Sequence, residues 1–262
     1  MRRRWVRLTL LGAVVFGVAL IFQIPAGWAL YLARDRIPQT VQWQGVSGSV
    51  FDASVERVTV SLPGGARVVA GPVTVRTGLV GALTGSLPVD FRGRVLGGEV
   101  SGRARLGPGG WRIPDIHGRL DLGGLPRALP QLEVAGLSGE VLFRGQGLAG
   151  SYRGTPRQGR LRASVESLQA GLIRTDRPLG DYALDLTLGE DGGLQGQVRT
   201  VAEDPLLGIK GQVGGSLGDG AIHFRGSGWA ADDAPPAVRD ILPLLGDPHD
   251  GRVRIQWQGR LR

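Results

Sequence analysis

From Thr40 onward, apolar residues recur at every second position in short runs broken by glycine, and that period governs what the chain can become. Val58, Val60 and Leu62 alternate with Arg57, Thr59 and Ser61. Val73 and Val75 alternate with Thr74 and Arg76, and Val89, Phe91 and Val95 with Asp90, Arg92 and Arg94. The same spacing returns at Leu161, Ala163 and Val165, at Leu184, Leu186 and Leu188, and at Val253, Ile255 and Trp257. Successive side chains of a strand point to opposite faces, so each run predicts a half-buried antiparallel strand with one wet and one dry face. The 45 glycines supply turns, bulges and bends for a strongly curved sheet.

Helical signals after the start of the chain are few. Gly78 to Leu83 predicts a short turn, and Leu125 to Leu132, holding Pro126 and Pro130, a connector. One helix is expected to open near Asp232 or Asp233, with Pro235 and Pro236 at its first positions. It runs through Val238, Ile241 and Leu242 toward Leu245 and stops at Gly246. Pro243 makes its last turn irregular.

The chain begins differently. No charged residue lies between Arg7 and Arg34, and Leu8 to Phe22 is apolar except for Thr9. A bilayer needs about 20 mainly apolar residues, so residues 8–33 are long enough to form a transmembrane helix. Trp5 stands at one end and Trp28 and Tyr31 at the other, as interfacial aromatics do. Arg2, Arg3, Arg4 and Arg7 make residues 1–7 a cytoplasmic tail and send residues 34–262 across the membrane as one periplasmic β-rich domain. A cleaved leader shares the basic start and the apolar core. Its small-x-small site, however, would have to be Ala26-Gly27-Trp28-Ala29, where Trp28 is bulky.

Charge narrows the partners. The net charge is +8, but five of the 31 basic residues lie at or before Arg34, leaving 26 against 23 acidic residues beyond it, a net of +3. That balance is not a nucleic-acid footprint. The absence of cysteine removes disulfides and thiolate metal sites.

Signals for chemistry are weak. Gly145-Gln146-Gly147-Leu148-Ala149-Gly150 has dinucleotide-loop spacing, yet Tyr152, Gly154, Pro156 and Gly159 follow where a helix should open. His117, His223 and His249 are the only histidines. Asp247-Pro248-His249-Asp250 reads as turn chemistry, His223 as a strand residue, and Lys210, the one lysine, has no phosphate loop around it. No serine sits in a Gly-x-Ser-x-Gly elbow, and a Ser-His-Asp grouping is not legible at this level. The chain therefore presents no catalytic, cofactor-binding or metal-binding residues, and the expectation is a non-enzyme without cofactors.

Two echoes recur. Val41-Gln42-Trp43-Gln44-Gly45 matches Ile255-Gln256-Trp257-Gln258-Gly259, and Phe-Arg-Gly appears at Phe91, Phe143 and Phe224. Their uneven spacing excludes a regular solenoid; a repeated hairpin unit and coincidence in an arginine-rich chain both fit. Many strands with one apolar face and a single helix to cover them must curl into a half-pipe, sandwich or barrel, or leave an apolar groove. Closure on itself is the expectation, with Val60, Val75, Phe91, Leu186 and Ile255 in one dry core. The predicted fold is mainly β: one N-terminal transmembrane helix, a curved, mostly antiparallel multi-stranded sheet and one short C-terminal helix.

Three stretches resemble protein N of the bacterial type II secretion system. Val46-Ser47-Gly48-Ser49-Val50-Phe51-Asp52-Ala53 is similar to an early element of that family, with Phe51 in place of its tryptophan. Leu79 to Val95, with Gly81, Leu83, Thr84, Gly85 and Val89, resembles its next strand segment. Arg239 to Gly246, then Gly251 to Ile255 and Gly259-Arg260-Leu261, resembles its closing helix and strand. The resemblance implies a non-enzymatic accessory subunit at the inner membrane that supports export of folded proteins across the outer membrane. Its partners would be the bilayer, the other inner-membrane subunits and the secretin. The one-sided sheet is also similar to AsmA-like envelope proteins, which implies an alternative: lipid binding or transfer through an apolar groove. Protein C of the same system shares the single anchor, but the long linker of its divided periplasmic region has no counterpart here.

Overall fold

The computed structural model describes residues 24–33, 41–61, 67–78, 85–127, 136–152, 156–173, 175–217, 220–249 and 251–260. The first half of the sheet comprises β1 (Val41–Gly48), β2 (Asp52–Ser61), β3 (Arg67–Thr77), β4 (Leu87–Val95), β5 (Gly98–Gly107), β6 (Gly110–Asp121) and β7 (Leu137–Gly150). Then come β8 (Pro156–Ala170), β9 (Gly180–Leu188), β10 (Gly193–Thr200), β11 (Leu207–Ser216), β12 (Ala221–Ala230), β13 (Asp247–His249) and β14 (Arg252–Arg260). Helix α1 spans Ala26–Ala33, α2 spans Pro236–Leu245, and a 3-10 turn covers Leu122–Arg127, where the connector was expected. Past Gly78, the turn expected at Gly78–Leu83 lies outside the described residues.

All fourteen strands belong to one antiparallel sheet in chain order, except that β14 sits inside β13. Some connections are as short as a hairpin allows. Between β4 and β5 the whole turn is Leu96-Gly97, with φ of 51° and 80°. Two left-handed residues are what a tight hairpin needs to match the strand twist, and Gly97 adopts that region without steric cost.

Register turns the sequence alternation into two continuous faces. Val46, Val55, Val73, Gly93, Val100, Gly118, Phe143, Ala163, Leu184, Val198, Gly211, Gly226 and Ile255 are successive cross-strand partners, one from every strand but β13. On the other face the row runs Ser47, Ser54, Thr74, Arg92, Ser101, His117, Arg144, Arg162, Asp185, Gln197, Gln212, Arg225 and Gln256. At about 4.8 Å per strand, such a row is roughly 60 Å long. In β1–β3 the alternation slips by one residue at Gly45, at Glu56-Arg57 and at Gly71-Pro72. The apolar side chains Trp43, Val58 and Ala70 thereby stay on the dry face beyond the slip.

The sheet does not close. β1 and β13 are its two ends, and no pairing joins them among the described residues. The expected single dry core and the second sandwich layer are therefore absent from the described residues: Val60, Val75, Phe91, Leu186 and Ile255 are all half-buried. The dense core is instead local. Ile173, Leu179, Leu206, Leu207, Ala234, Val238, Leu242 and Val253 form one cluster at the C-terminal end, under α2. Single-layer sheets gain no facing side chains, so apolar contact is made within the face. Aromatic rings lie across glycines: Phe91 over Gly102, Phe143 over Gly118, Phe224 over Gly211 and Trp229 over Gly208. Each ring covers backbone that its glycine partner leaves bare.

Helix α2 starts later than expected. Pro235 is its N-cap, in an extended conformation (φ −56°, ψ 151°) without a side-chain cap. A residue before proline avoids helical ψ, so Pro235-Pro236 sets the boundary and the upstream aspartates cannot cap it. Arg239 reaches back instead, its Nε donating to the Ala234 carbonyl at 2.9 Å and an Nη to that of Asp232 at 3.2 Å. The helix packs beside Val253 and Ile255. Trp257, two residues further along β14, is 55% exposed.

Of the expected membrane span, residues 8–23 lie outside the described residues. Just before α1, Pro25 bridges to Ser49 and the Ile24 carbonyl accepts from Val50 N at 3.1 Å. Among the described residues no helix is long and apolar enough to cross a membrane.

Candidate interaction faces

The polar face carries the only groupings that resemble a site among the described residues. Cross-strand register places opposite charges side by side: Arg103 Nε lies 2.8 Å from Asp90, Arg144 Nε 2.9 Å from Asp115, Arg162 Nε 3.1 Å from Asp185, and Arg119 pairs with Glu140. Asp115 is held below the usual carboxylate range, first by its hydrogen bond to Arg144 and then by His117. These side chains are well exposed, so each pair stabilises little and serves mainly to fix register.

Two furrows follow this face. One, of about 540 Å³, is lined by Thr74, Arg76, Asp90, Arg92, Ser101, Arg103, Asp115 and His117. The other, of about 1300 Å³, runs from Arg160 and Arg162 past Asp185, Gln195, Gln197 and Gln212 to His223 and Arg225. Arg92, Arg160, Arg199, Lys210 and Arg225 make no ion pair among the described residues.

In the first furrow Ser101 Oγ lies 3.0 Å from His117 Nε2, and His117 Nδ1 lies 3.4 Å from Asp115 Oδ2. The order matches a Ser-His-Asp relay, which no sequence spacing revealed because Ser101 and His117 meet only through the β5–β6 register. Its surroundings do not complete one. Asp115 is already engaged by Arg144, which weakens its hold on an imidazolium. β5 is an interior strand with both edges paired, so the backbone N–H groups around Ser101 serve the ladder rather than an oxyanion.

The other sequence candidates disperse. The glycine run Gly145 to Gly150 is the end of strand β7, and the next element is β8, so no helix N-terminus faces a phosphate. His223 is exposed on β12, opposite Gln258. His249 belongs to β13 rather than to a loop, and Lys210 faces Arg199 across β10–β11. Among the described residues no three ligand-type side chains cluster as a metal site.

The apolar face is the other long surface of the sheet. Outside the α2 cluster most of its valines, leucines and phenylalanines stay half-buried, Val55 and Leu188 being the buried exceptions, with no layer above them among the described residues. The two ends of this face carry the Trp43 and Trp257 echoes, and each Phe-Arg-Gly echo places its phenylalanine here and its arginine on the polar row.

No curated protein and no solved structure matches the chain. The family model of type II secretion system (T2SS) protein N matches residues 39–258, which is the entire sheet but for its last two residues. The chain belongs to the type II secretion system protein N family.

Proposed function

We propose that this chain is a non-enzymatic accessory subunit of the type II secretion system, anchored in the bacterial inner membrane by residues 8–33 with its sheet in the periplasm. One observation carries the reading: an open sheet of fourteen strands offers two long surfaces, one polar and one apolar. Such a surface suits assembly, holding other inner-membrane subunits and the secretin in register while folded proteins are exported. The basic N-terminal tail and the uncharged run after it support the membrane orientation.

The test combines location with capture. A reporter fused after Arg262 should be active only in the periplasm, and the chain should remain in carbonate-washed inner membranes. Photocrosslinkers at Arg57 or Arg254 should capture secretion-platform subunits. Release of a soluble chain starting near Ala29, or capture of no secretion subunit, overturns the reading.

The open apolar face favours a second reading, lipid binding or transfer in the manner of AsmA-like proteins. Each buried CH₂ of an acyl chain would contribute about 0.8 kcal/mol on such a surface. About one phospholipid per chain in detergent-free preparations, displaced by Val75→Trp or Leu186→Trp, would establish it over the adaptor role.

A further inference from the structure

The two edges of the sheet are built differently. At the C-terminal edge β13 adds three residues, with Asp247 and Pro248 among them, against Arg252–Arg254 of β14. A charge, a proline and a short length are the usual guards of an edge strand. At the other edge β1 is eight residues long, Val41-Gln42-Trp43-Gln44-Gly45-Val46-Ser47-Gly48, without a charge or a proline. It pairs with β2 on one side only. Pro25 bridges to Ser49, just past its end, and α1 touches it without adding a ladder. Among the described residues the outer N–H and C=O groups of β1 have no ladder partner.

The sequence of β1 says what fits there. Val41-Gln42-Trp43-Gln44-Gly45 is nearly symmetric about Trp43, and a two-fold contact requires a self-complementary surface. Antiparallel pairing of two β1 strands centred on Trp43 sets Gln42 opposite Gln44 twice, on the polar face. It also sets the two Trp43 rings together on the apolar face and Val41 opposite Gly45, with no charge against charge. The β14 echo fails the same test. Centred on Trp257, it would place Arg254 opposite Arg260, two like charges, with β13 already alongside Arg254. We propose that a second copy of this chain pairs with the first through β1, in antiparallel register about Trp43, fusing the two sheets with their apolar faces on one side.

The chain has no cysteine, so an introduced thiol is the only one present. In cells expressing the full chain, mild oxidation of Trp43→Cys should yield a disulfide-linked dimer at twice 27.7 kDa. Trp257→Cys should stay monomeric. Because Trp43 packs on the apolar face, Gln42→Cys and Gln44→Cys, which point to solvent, provide the second arm. Co-expressed, they should crosslink several-fold more than either alone. The double variant Gln42→Lys/Gln44→Lys, which sets Lys against Lys, should convert a dimer to a monomer by light scattering with an unchanged far-UV spectrum. A monomeric wild type at micromolar concentration overturns the proposal. So does a Trp43→Cys chain that links only to a co-expressed Trp257→Cys chain, which would mean head-to-tail pairing.

Discussion

The ring of Phe143 lies across Gly118, its register partner on the neighbouring strand, where an added Cβ would come within 2.7 Å of the ring. Because the sheet is one layer deep here, the ring has no opposing wall and takes its contact from bare backbone. Gly118→Val should therefore destabilise the chain by about 1–3 kcal/mol in urea unfolding. Phe143→Ala should also destabilise it, but the double variant should fall short of the sum, since removing the ring relieves the ring's part of the clash and leaves only the Glu99 carbonyl oxygen, also 2.7 Å from the added Cβ. Full additivity would show that the two residues do not share that space.

Much of this arrangement was legible in the sequence. The period-2 runs at Val89-Phe91, Leu161-Val165 and Leu184-Leu188 named strands and faces, because alternation is a property of the strand alone. Openness was not legible. Whether a sheet closes depends on twist summed over many strands and on bulges such as that at Gly71-Pro72, and alternation does not encode those. Nor was the meeting of Ser101 with His117, which requires the register between two strands. The α2 start was misplaced because aspartate is a good cap in general, whereas Pro235-Pro236 fixes the backbone locally. The Phe-Arg-Gly echoes were visible, but their use needed the sheet: each puts a ring on the dry face and an arginine on the wet one.

Tyr182 ties β9 to β11 across the intervening strand, its hydroxyl donating to the Leu207 carbonyl at 2.7 Å from a side chain 6% exposed. Tyr182→Phe should cost about 0.5–1.5 kcal/mol. Burial first, and Asp181 second, push the hydroxyl well above its ordinary value. Its contribution is fully present below the unfolded value near 10 and is lost as pH rises through the folded one. The melting temperature of the wild type should fall faster than that of Tyr182→Phe above about pH 10. Parallel falls would show that the hydroxyl is not protected.

Asp115 makes the opposite case. Arg144, and then His117, lower its folded pKa, so its stabilising contribution is present above the unfolded carboxylate value near 3.9 and is lost as pH falls through the folded one. Between pH 6 and pH 3 the wild type should lose more melting temperature than Asp115→Asn. If the Ser101–His117–Asp115 grouping is only a surface network, Ser101→Ala should leave hydrolysis of a nitrophenyl ester at the level of the wild type. A large drop in Ser101→Ala would establish a hydrolytic site.

The core under α2 gives the sharpest stability contrast. Val238 and Leu242 are 1% and 7% exposed and face Val253, Leu206 and Leu207, whereas Leu244 on the same helix is 81% exposed. Arg177 bridges Asp204 at 3.3 Å and Asp233 at 2.5 Å, holding the approach to the helix against the β10–β11 loop from outside. Leu242→Ala should cost about 2–5 kcal/mol, because the emptied site is walled by strands that cannot collapse into it. Ile241, half-buried, should cost less on truncation, and Leu244→Ala should stay within about 0.5 kcal/mol. Arg177→Ala should be nearly as mild, since both ion pairs are exposed and screened. A Leu242→Ala change as small as that of Leu244→Ala would mean that α2 is held by its ends rather than by its apolar face.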